Sequence, residues 1–425
     1  MSARMRLSSA PRSPLRETEF VGLMAAIQAL QALAIDVMLP ALGQISRDLG
    51  VTDANERQLL VGIFLICSGL GSLFPGAIGD RFGRRPVVLA SLGIYVAISL
   101  ASALVTDFTT LLVLRAILGF GTAAMMVMPM AIIRDQFGGD RMARIQSLIS
   151  MTFMVVPMFA PTVGQAVLLI AGWRWIFGVM ALLAACVALW AWARLPETLR
   201  PEYRQTIAPR AILSNMWDAL RCRAALGYFL GASFVQGALF GYINSSQQLV
   251  AEHFGAGVFF PAVFGGMALV MSATNFINAR IVERFGARRV SHAAAITYIV
   301  VAAVHLVCAM LGETLWVFVP LMTISMCMMS FIGSNFASIA LQPFARTAGA
   351  AASVMAFVRL LLGALLGTLI GQAYDGTARP LLAAMTVAGV VALGLVFYSE
   401  RGVLFRRLNP PGQTGPEVNG PAELT

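Results

Sequence analysis

The chain has 425 residues, of which 58% are hydrophobic and only 12% charged, and its mean hydropathy is +0.79. A soluble domain cannot bury that much apolar surface, and apolar stretches long enough to cross a bilayer recur along nearly the whole length. The net charge of +10 does not point to nucleic acid: all 30 basic residues are arginines, and they sit in alternate polar connections, which is the orientation signal of a membrane protein.

The first sixteen residues carry Arg4, Arg6, Arg12 and Arg16 with no apolar core among them. The run at 20–42 is too long for a cleaved signal and lacks a small-residue processing site, so it reads as a first membrane span. Eleven more are expected at 58–78, 86–106, 109–133, 145–171, 174–194, 224–250, 259–281, 290–311, 315–340, 349–373 and 379–398. The expected fold class is all-α and polytopic. An N-terminal tail (1–19) precedes a six-helix bundle (20–194), a linker (195–223) with Pro196, Pro201 and Pro209, a second bundle (224–398) and a tail (399–425). The N-terminal tail, the even connections and the C-terminal tail hold 24 of the 30 arginines, against four in the odd connections: Arg47, Arg57, Arg174 and Arg379. Positive connections stay inside, so both termini are expected in the cytoplasm. Cys67, Cys186, Cys222, Cys308 and Cys327 form no Cys-x-x-Cys pair, and neither a disulfide nor a metal site is expected.

Span one carries Asp36, the one carboxylate within any expected span, about six residues from its outer end. Span four carries Arg115 at the same depth, about 9 Å in, at roughly 1.5 Å per residue. Charges inside a bilayer are costly and mark function by default. Burial favours the neutral carboxyl and a nearby guanidinium favours the ionised one. A group balanced between the two can exchange a proton; a static ion pair and a snorkelling arginine are the alternatives. Gln28, Gln31, Gln236, Asn244, Asn275, Asn278 and Asn335 are further polar residues within spans. They either line a cavity or tie helices together, and Gln28, two turns below Asp36, ranks first. Arg359 sits near the middle of span eleven, where snorkelling is hardest; it either attracts an anionic or polar substrate or braces the C-terminal half. His305 in span nine reads as a packing residue.

The sequence echoes itself. Gly79-Asp80-Arg81-Phe82-Gly83-Arg84-Arg85 after span two is matched by Val282-Glu283-Arg284-Phe285-Gly286-Ala287-Arg288 after span eight, an offset of 203. The same offset carries Ala160 and Gly164 onto Gly363 and Gly367. Small residues four apart allow close helix packing in lipid, and internal repeats are a recurrent plan of transporters.

The stretch from Gly76 through Asp80, Arg81, Gly83, Arg84 and Arg85 resembles the cytoplasmic loop signature of the major facilitator superfamily, G-x-x-x-D-R-x-G-R-R. Arg115-Ala116-Ile117-Leu118-Gly119-Phe120-Gly121 resembles a second motif of that family. Asp36-Val37-Met38-Leu39-Pro40-Ala41-Leu42 and Ala160-Pro161-Thr162-Val163-Gly164 resemble its Bcr/CflA drug-resistance branch, although Gln165 stands where the antiporter motif usually has a second glycine. The resemblance implies a two-bundle fold, a gating loop in which Arg84 meets Asp135, and proton transfer through Asp36 and Arg115. It also implies Pro161 and Gly164 as antiporter-motif residues. The function it implies is proton-coupled efflux of small drug-like molecules across an inner membrane by a monomer. The alternative is a carrier of the same fold for one specific metabolite. No phosphate loop of the G-x-x-x-x-G-K type is present, so an ion gradient is the expected energy source, with no cofactor and no enzymatic site. A transport-free sensor is disfavoured because no output domain accompanies the spans.

Overall fold

The computed structural model describes residues 15–53, 55–137, 139–199, 221–344 and 348–406. Most of the expected linker and parts of both expected tails lie outside the described residues. The helices run in order as α1 (Glu17–Asp36), α2 (Leu42–Asp48), α3 (Leu59–Gly71), α4 (Pro75–Phe82), α5 (Arg84–Ala103), α6 (Phe108–Thr122), α7 (Ala124–Gln136), α8 (Gly139–Ala171) and α9 (Trp173–Arg194). After the linker come α10 (Arg223–Gln247), α11 (Phe260–Phe285), α12 (Ala287–Met310), α13 (Leu315–Leu341), α14 (Ala348–Gln372) and α15 (Arg379–Ser399). Among the described residues ten helices or continued helices are long and apolar enough to cross a membrane, and α3 with α4 forms an eleventh as a pair bent by 48°. The fifth expected span falls in α8, whose described apolar part is Val155–Ala171.

Three expected spans are interrupted, span four at Ala123 between α6 and α7 and two others for a local reason. The run 20–42 is not one helix: α1 stops at Asp36 and the chain turns through a 3₁₀ segment, Leu39–Ala41, into α2. Pro40 lacks an N–H, and its ring collides with the carbonyl four residues back, which is that of Asp36. The D-x-x-x-P spacing therefore ends the helix at the only carboxylate of the expected span 20–42. Span two breaks at 72–74, with Pro75 opening α4. The signature stretch from Gly76 to Phe82 consequently lies on a helix, and Gly83 makes the reversal at φ 105°, a conformation that favours glycine.

In the N-terminal part α1 packs on α7, α8 and α9, α3 on α6, and α5 on α6 and α9; in the C-terminal part α10 packs on α13, α14 and α15. The parts meet along two seams, α3 with α14 and α8 with α11. Close backbone approach there depends on absent side chains. A Cβ on Gly69 would lie 3.0 Å from the Leu361 backbone, and one on Gly265 would lie 2.5 Å from the Met158 carbonyl oxygen.

The expected duplication has a packing counterpart. A Cβ on Gly164 would sit 1.9 Å from the carbonyl oxygen of Val37, and one on Gly367 would sit 2.4 Å from Cβ of Phe240. Val37 and Phe240 are themselves 203 residues apart. The α8–α1 contact is thus repeated as α14–α10, glycine against the same position of the partner helix.

Candidate functional site

Asp36 is buried, 5% exposed, at the C-terminal end of α1. Its carboxyl forms no ion pair with Arg115 among the described residues. That pairing was expected from shared depth, and the structure replaces it. Arg115, fully buried, donates from Nε to the Leu60 carbonyl (3.0 Å) and from Nη2 to the Ala34 carbonyl (2.8 Å). Its guanidinium lies 4.6 Å from the Phe64 ring centroid. The cation is spent on backbone dipoles and an aromatic face, and it pins α6 to α1 and α3. It meets α1 two residues before Asp36, at a carbonyl close to the helix end, which suits a cation there. Its Nη1 has no hydrogen-bond partner among the described residues.

The remaining candidates divide by whether the protein itself satisfies them. Gln31 donates to Ser68 Oγ at 2.8 Å and ties α1 to α3. Asn244 donates to the Gly367 carbonyl at 3.0 Å and ties α10 to α14. Asn275, Asn278 and Asn335 join a network with Ser330 and Ser334 between α11 and α13. These are helix-linking residues. Gln28 and Gln236 are half-buried and donate to no protein group among the described residues, and Arg359 likewise has neither hydrogen bond nor ion pair. Arg359 lies one turn from Gly363 on α14, and Gly363 faces Gln236 on α10, with Cγ 3.0 Å from where its Cβ would be. Gln236 and Arg359 therefore occupy neighbouring turns of facing helices.

At one end of the molecule the signature residues form a compact charge cluster. Arg84, only 2% exposed, donates to Asp80 at 2.5 Å and to Asp135 at 3.1 Å. Glu197, three residues past the end of α9, closes this cluster. Its carboxylate accepts from the backbone N–H of Arg84 (2.9 Å) and of Arg85 (3.2 Å), and so caps the first turn of α5. A Cβ on Gly83 would fall 2.4 Å from the same carboxylate, a second reason for glycine there.

The opposite end holds a polar cluster that sequence reasoning missed. Arg57 pairs with Glu252 at 2.6 Å, Gln58 donates to Gln248, and Asn55 and Gln372 bond each other's segments through backbone carbonyls at 3.2 and 2.8 Å. These contacts fasten the α2–α3 connection of the N-terminal part to a π-helical turn, Gln248–His253, and the end of α14. Gly371 leaves the room: its Cβ would overlap the Gln58 side chain at 2.1 Å. One signal was available, since Arg57 is among the few arginines in an odd connection.

His305 is not merely packed. Its Nε2 lies 3.0 Å from a Glu313 carboxyl oxygen, their side chains 0% and 2% exposed, an ion-pair approach without hydrogen-bond geometry, and neither side chain has a hydrogen-bond partner among the described residues. Replacing His305 with Leu strands a buried carboxyl, which costs about 3 kcal/mol. A clear drop in the melting temperature of the purified protein is expected, with recovery in the His305→Leu, Glu313→Leu double variant. An unaltered melting temperature in the single variant refutes the pairing.

A sequence model of the Major Facilitator Superfamily matches residues 24–368. A bicyclomycin resistance protein homolog of Haemophilus influenzae is 28% identical over 392 residues, spanning 91% of this chain and 98% of that one. The multidrug resistance protein MdtL of Klebsiella pneumoniae is 29% identical over 390 residues, 89% and 96% of the two chains. Among solved structures, a bacterial homolog of the human lysosomal transporter Spinster, inward-facing and unoccupied, superposes with a TM-score of 0.70. It does so at 16% identity over 92% of this chain and 96% of that one.

Proposed function

The chain belongs to the major facilitator superfamily, and from that premise we propose that it is a twelve-span, two-bundle exporter of small drug-like molecules. In this reading it sits in an inner membrane and exchanges substrate for protons by alternating access. The observation that carries the reading is Asp36: a buried carboxyl without a counter-ion among the described residues, held at a proline-induced helix end against which the antiporter-motif glycine packs. An uncompensated charge there is expensive. The group therefore ionises when the cavity admits water and binds a proton when it does not. Arg115 fixes the carbonyl end of α1 and so positions Asp36 rather than neutralising it. The relatives named for bicyclomycin and multidrug resistance support the choice of cargo.

By the arginine distribution the Asp80 end is cytoplasmic and the Arg57 end periplasmic. The Arg57–Glu252 pair with its glutamine and asparagine neighbours is then a periplasmic latch, engaged in this conformation, and the Arg84 cluster is the element that serves the opposite gate. Glu252 is 44% exposed, so the pair by itself is worth little. The charge reversal Arg57→Glu sets two acids against each other and is expected to lower efflux several-fold, with Glu252→Arg in the same chain restoring it. Failure of the second change to restore transport refutes the latch.

The decisive experiment for the function is a drug-susceptibility panel in a pump-deficient bacterium, joined to quenching of a pH-sensitive dye in inverted vesicles. Substrate-dependent proton release from acidified vesicles is the expected result; uptake or extrusion indifferent to the proton gradient excludes it. A second reading, a carrier for one specific metabolite, is favoured by Arg359. A cation without a protein partner among the described residues, one turn from where α14 meets Gln236, suits a cargo with an anionic or strongly polar group. It predicts that Arg359→Ala loses transport of that one metabolite while expression and membrane insertion are unchanged, and that no drug in the panel is exported by the wild type.

A further inference from the structure

The C-terminal part carries a groove lined by none of the residues assigned above to coupling, latch or gate. It is about 450 Å³ in volume and opens outward between α11, α12 and α13, with walls that include Phe285, Val290, Ala293, Thr297 and Phe331. Phe285, Ala293 and Thr297 are exposed, so the groove faces the hydrocarbon. Its rim at the Asp80 end is Arg289. From Arg289 to Thr297 is eight residues of helix, roughly 12 Å at 1.5 Å per residue, enough to seat a long stretch of acyl chain below a headgroup.

The rim is built. Arg289 donates from Nε to the Phe405 carbonyl at 3.1 Å, and its two terminal nitrogens have no protein partner among the described residues. Phe405 sits in the left-handed region at φ 63°, a strained position for a bulky residue. It is held there by its own N–H donating to His292 Nδ1 at 3.0 Å and by its ring edge against that imidazole. The strain places a carbonyl that aims Arg289 and leaves its fork open. Arg284 and Arg406 are also exposed near this rim, as is the acid Glu283.

The internal repeat supplies a comparison. The N-terminal part has an apolar groove between α3, α5 and α6; of its lining, only Ile94 stands at a position that lines the first groove, that of Thr297. No charged residue lines it. At the position of Arg289 the N-terminal part has Pro86, and at that of Arg84 the C-terminal part has Ala287. The second copy has thus lost the gate arginine and gained one at a lipid-facing groove.

We propose that this groove binds an anionic glycerophospholipid of the cytoplasmic leaflet, an acyl chain lying along α12 and the phosphodiester accepted by the Arg289 guanidinium. Planar forked donors match phosphate oxygens, and basic pockets between helices at the cytoplasmic face suit anionic headgroups. The excess of arginine at the rim repels the cationic moiety of a zwitterionic lipid. Only the leaflet depends on the orientation proposed above; the binding does not.

The test is native mass spectrometry of the full chain released from vesicles of phosphatidylglycerol and phosphatidylcholine, with thermal stability read in parallel. Retention of phosphatidylglycerol is expected in the wild type and in Arg144→Ala, which removes an equally cytoplasmic arginine of the N-terminal part. Arg289→Ala is expected to weaken retention about tenfold, the loss of roughly one charge-assisted contact. Ala293→Trp, which fills the groove and keeps the charge, is expected to abolish it. Equal retention in Arg289→Ala, or equal retention of phosphatidylcholine by the wild type, overturns the proposal. So does displacement of the lipid by a transported drug, which would make the groove part of the substrate path.

Discussion

Asp36→Asn is expected to abolish gradient-driven efflux while leaving expression and substrate binding intact. Asparagine matches the carboxyl in shape and hydrogen-bonding reach, so the end of α1, its proline turn and the Arg115 contacts to Ala34 and Leu60 are preserved. What is lost is the ability to carry a proton. Substrate-for-substrate exchange needs no proton and should survive, whereas efflux should no longer respond to acidifying the periplasmic side. Asp36→Glu keeps the charge but pushes it one methylene further into a closely packed site, and partial activity is expected. Efflux in Asp36→Asn that still tracks the pH gradient would remove this residue from the coupling step.

Gly164→Ala is the second large effect. The added methyl would lie 1.9 Å from the Val37 carbonyl oxygen, far inside contact distance, and neither partner is a flexible side chain. Either α8 moves away from α1 or the turn after Asp36 is rebuilt; overpacking of this kind costs about 1–3 kcal/mol. The prediction is a fall in melting temperature together with loss of proton-coupled transport, because the helix end that presents Asp36 is displaced. Gly93→Ala, at a position with nothing within 4 Å, should change neither. The repeat-related Gly367→Ala meets Cβ of Phe240 at 2.4 Å and should destabilise without changing the pH response, since no carboxylate stands at that turn. Wild-type transport by Gly164→Ala would show that the close approach has no part in function.

Much of this architecture was readable from the amino-acid pattern, because apolar length and arginine placement follow directly from the cost of burying polar groups in lipid. The Arg84 cluster was anticipated too: a spacing of four sets Asp80 beside Arg84, and the family resemblance pointed to Asp135 at the end of span four. Depth alone misled in the case of Asp36 and Arg115. Two residues at one level of a bundle meet only if their helices are turned toward each other, and one sequence carries no information on that rotation. The break at Asp36 was legible in principle, since Pro40 stands four residues after it, but the apolar run through 42 masked it. The Arg57–Glu252 cluster was out of reach because its members come from segments nearly two hundred and more than three hundred residues apart.

The duplication is unequal in a way that bears on energetics. At the position corresponding to Asp36 the second copy has Leu239, and at that of Arg115 it has Phe318. If one acid serves each turnover, one proton enters per molecule expelled. A neutral cargo then leaves a net inward charge and is driven by voltage, about 2.3 kcal/mol per 100 mV, as well as by acidity. A monovalent cation exchanges without net current and is driven by acidity alone. Clamping the potential with a potassium ionophore should therefore slow export of uncharged compounds and spare that of singly charged cations; an equal effect on both would mean that more than one proton moves.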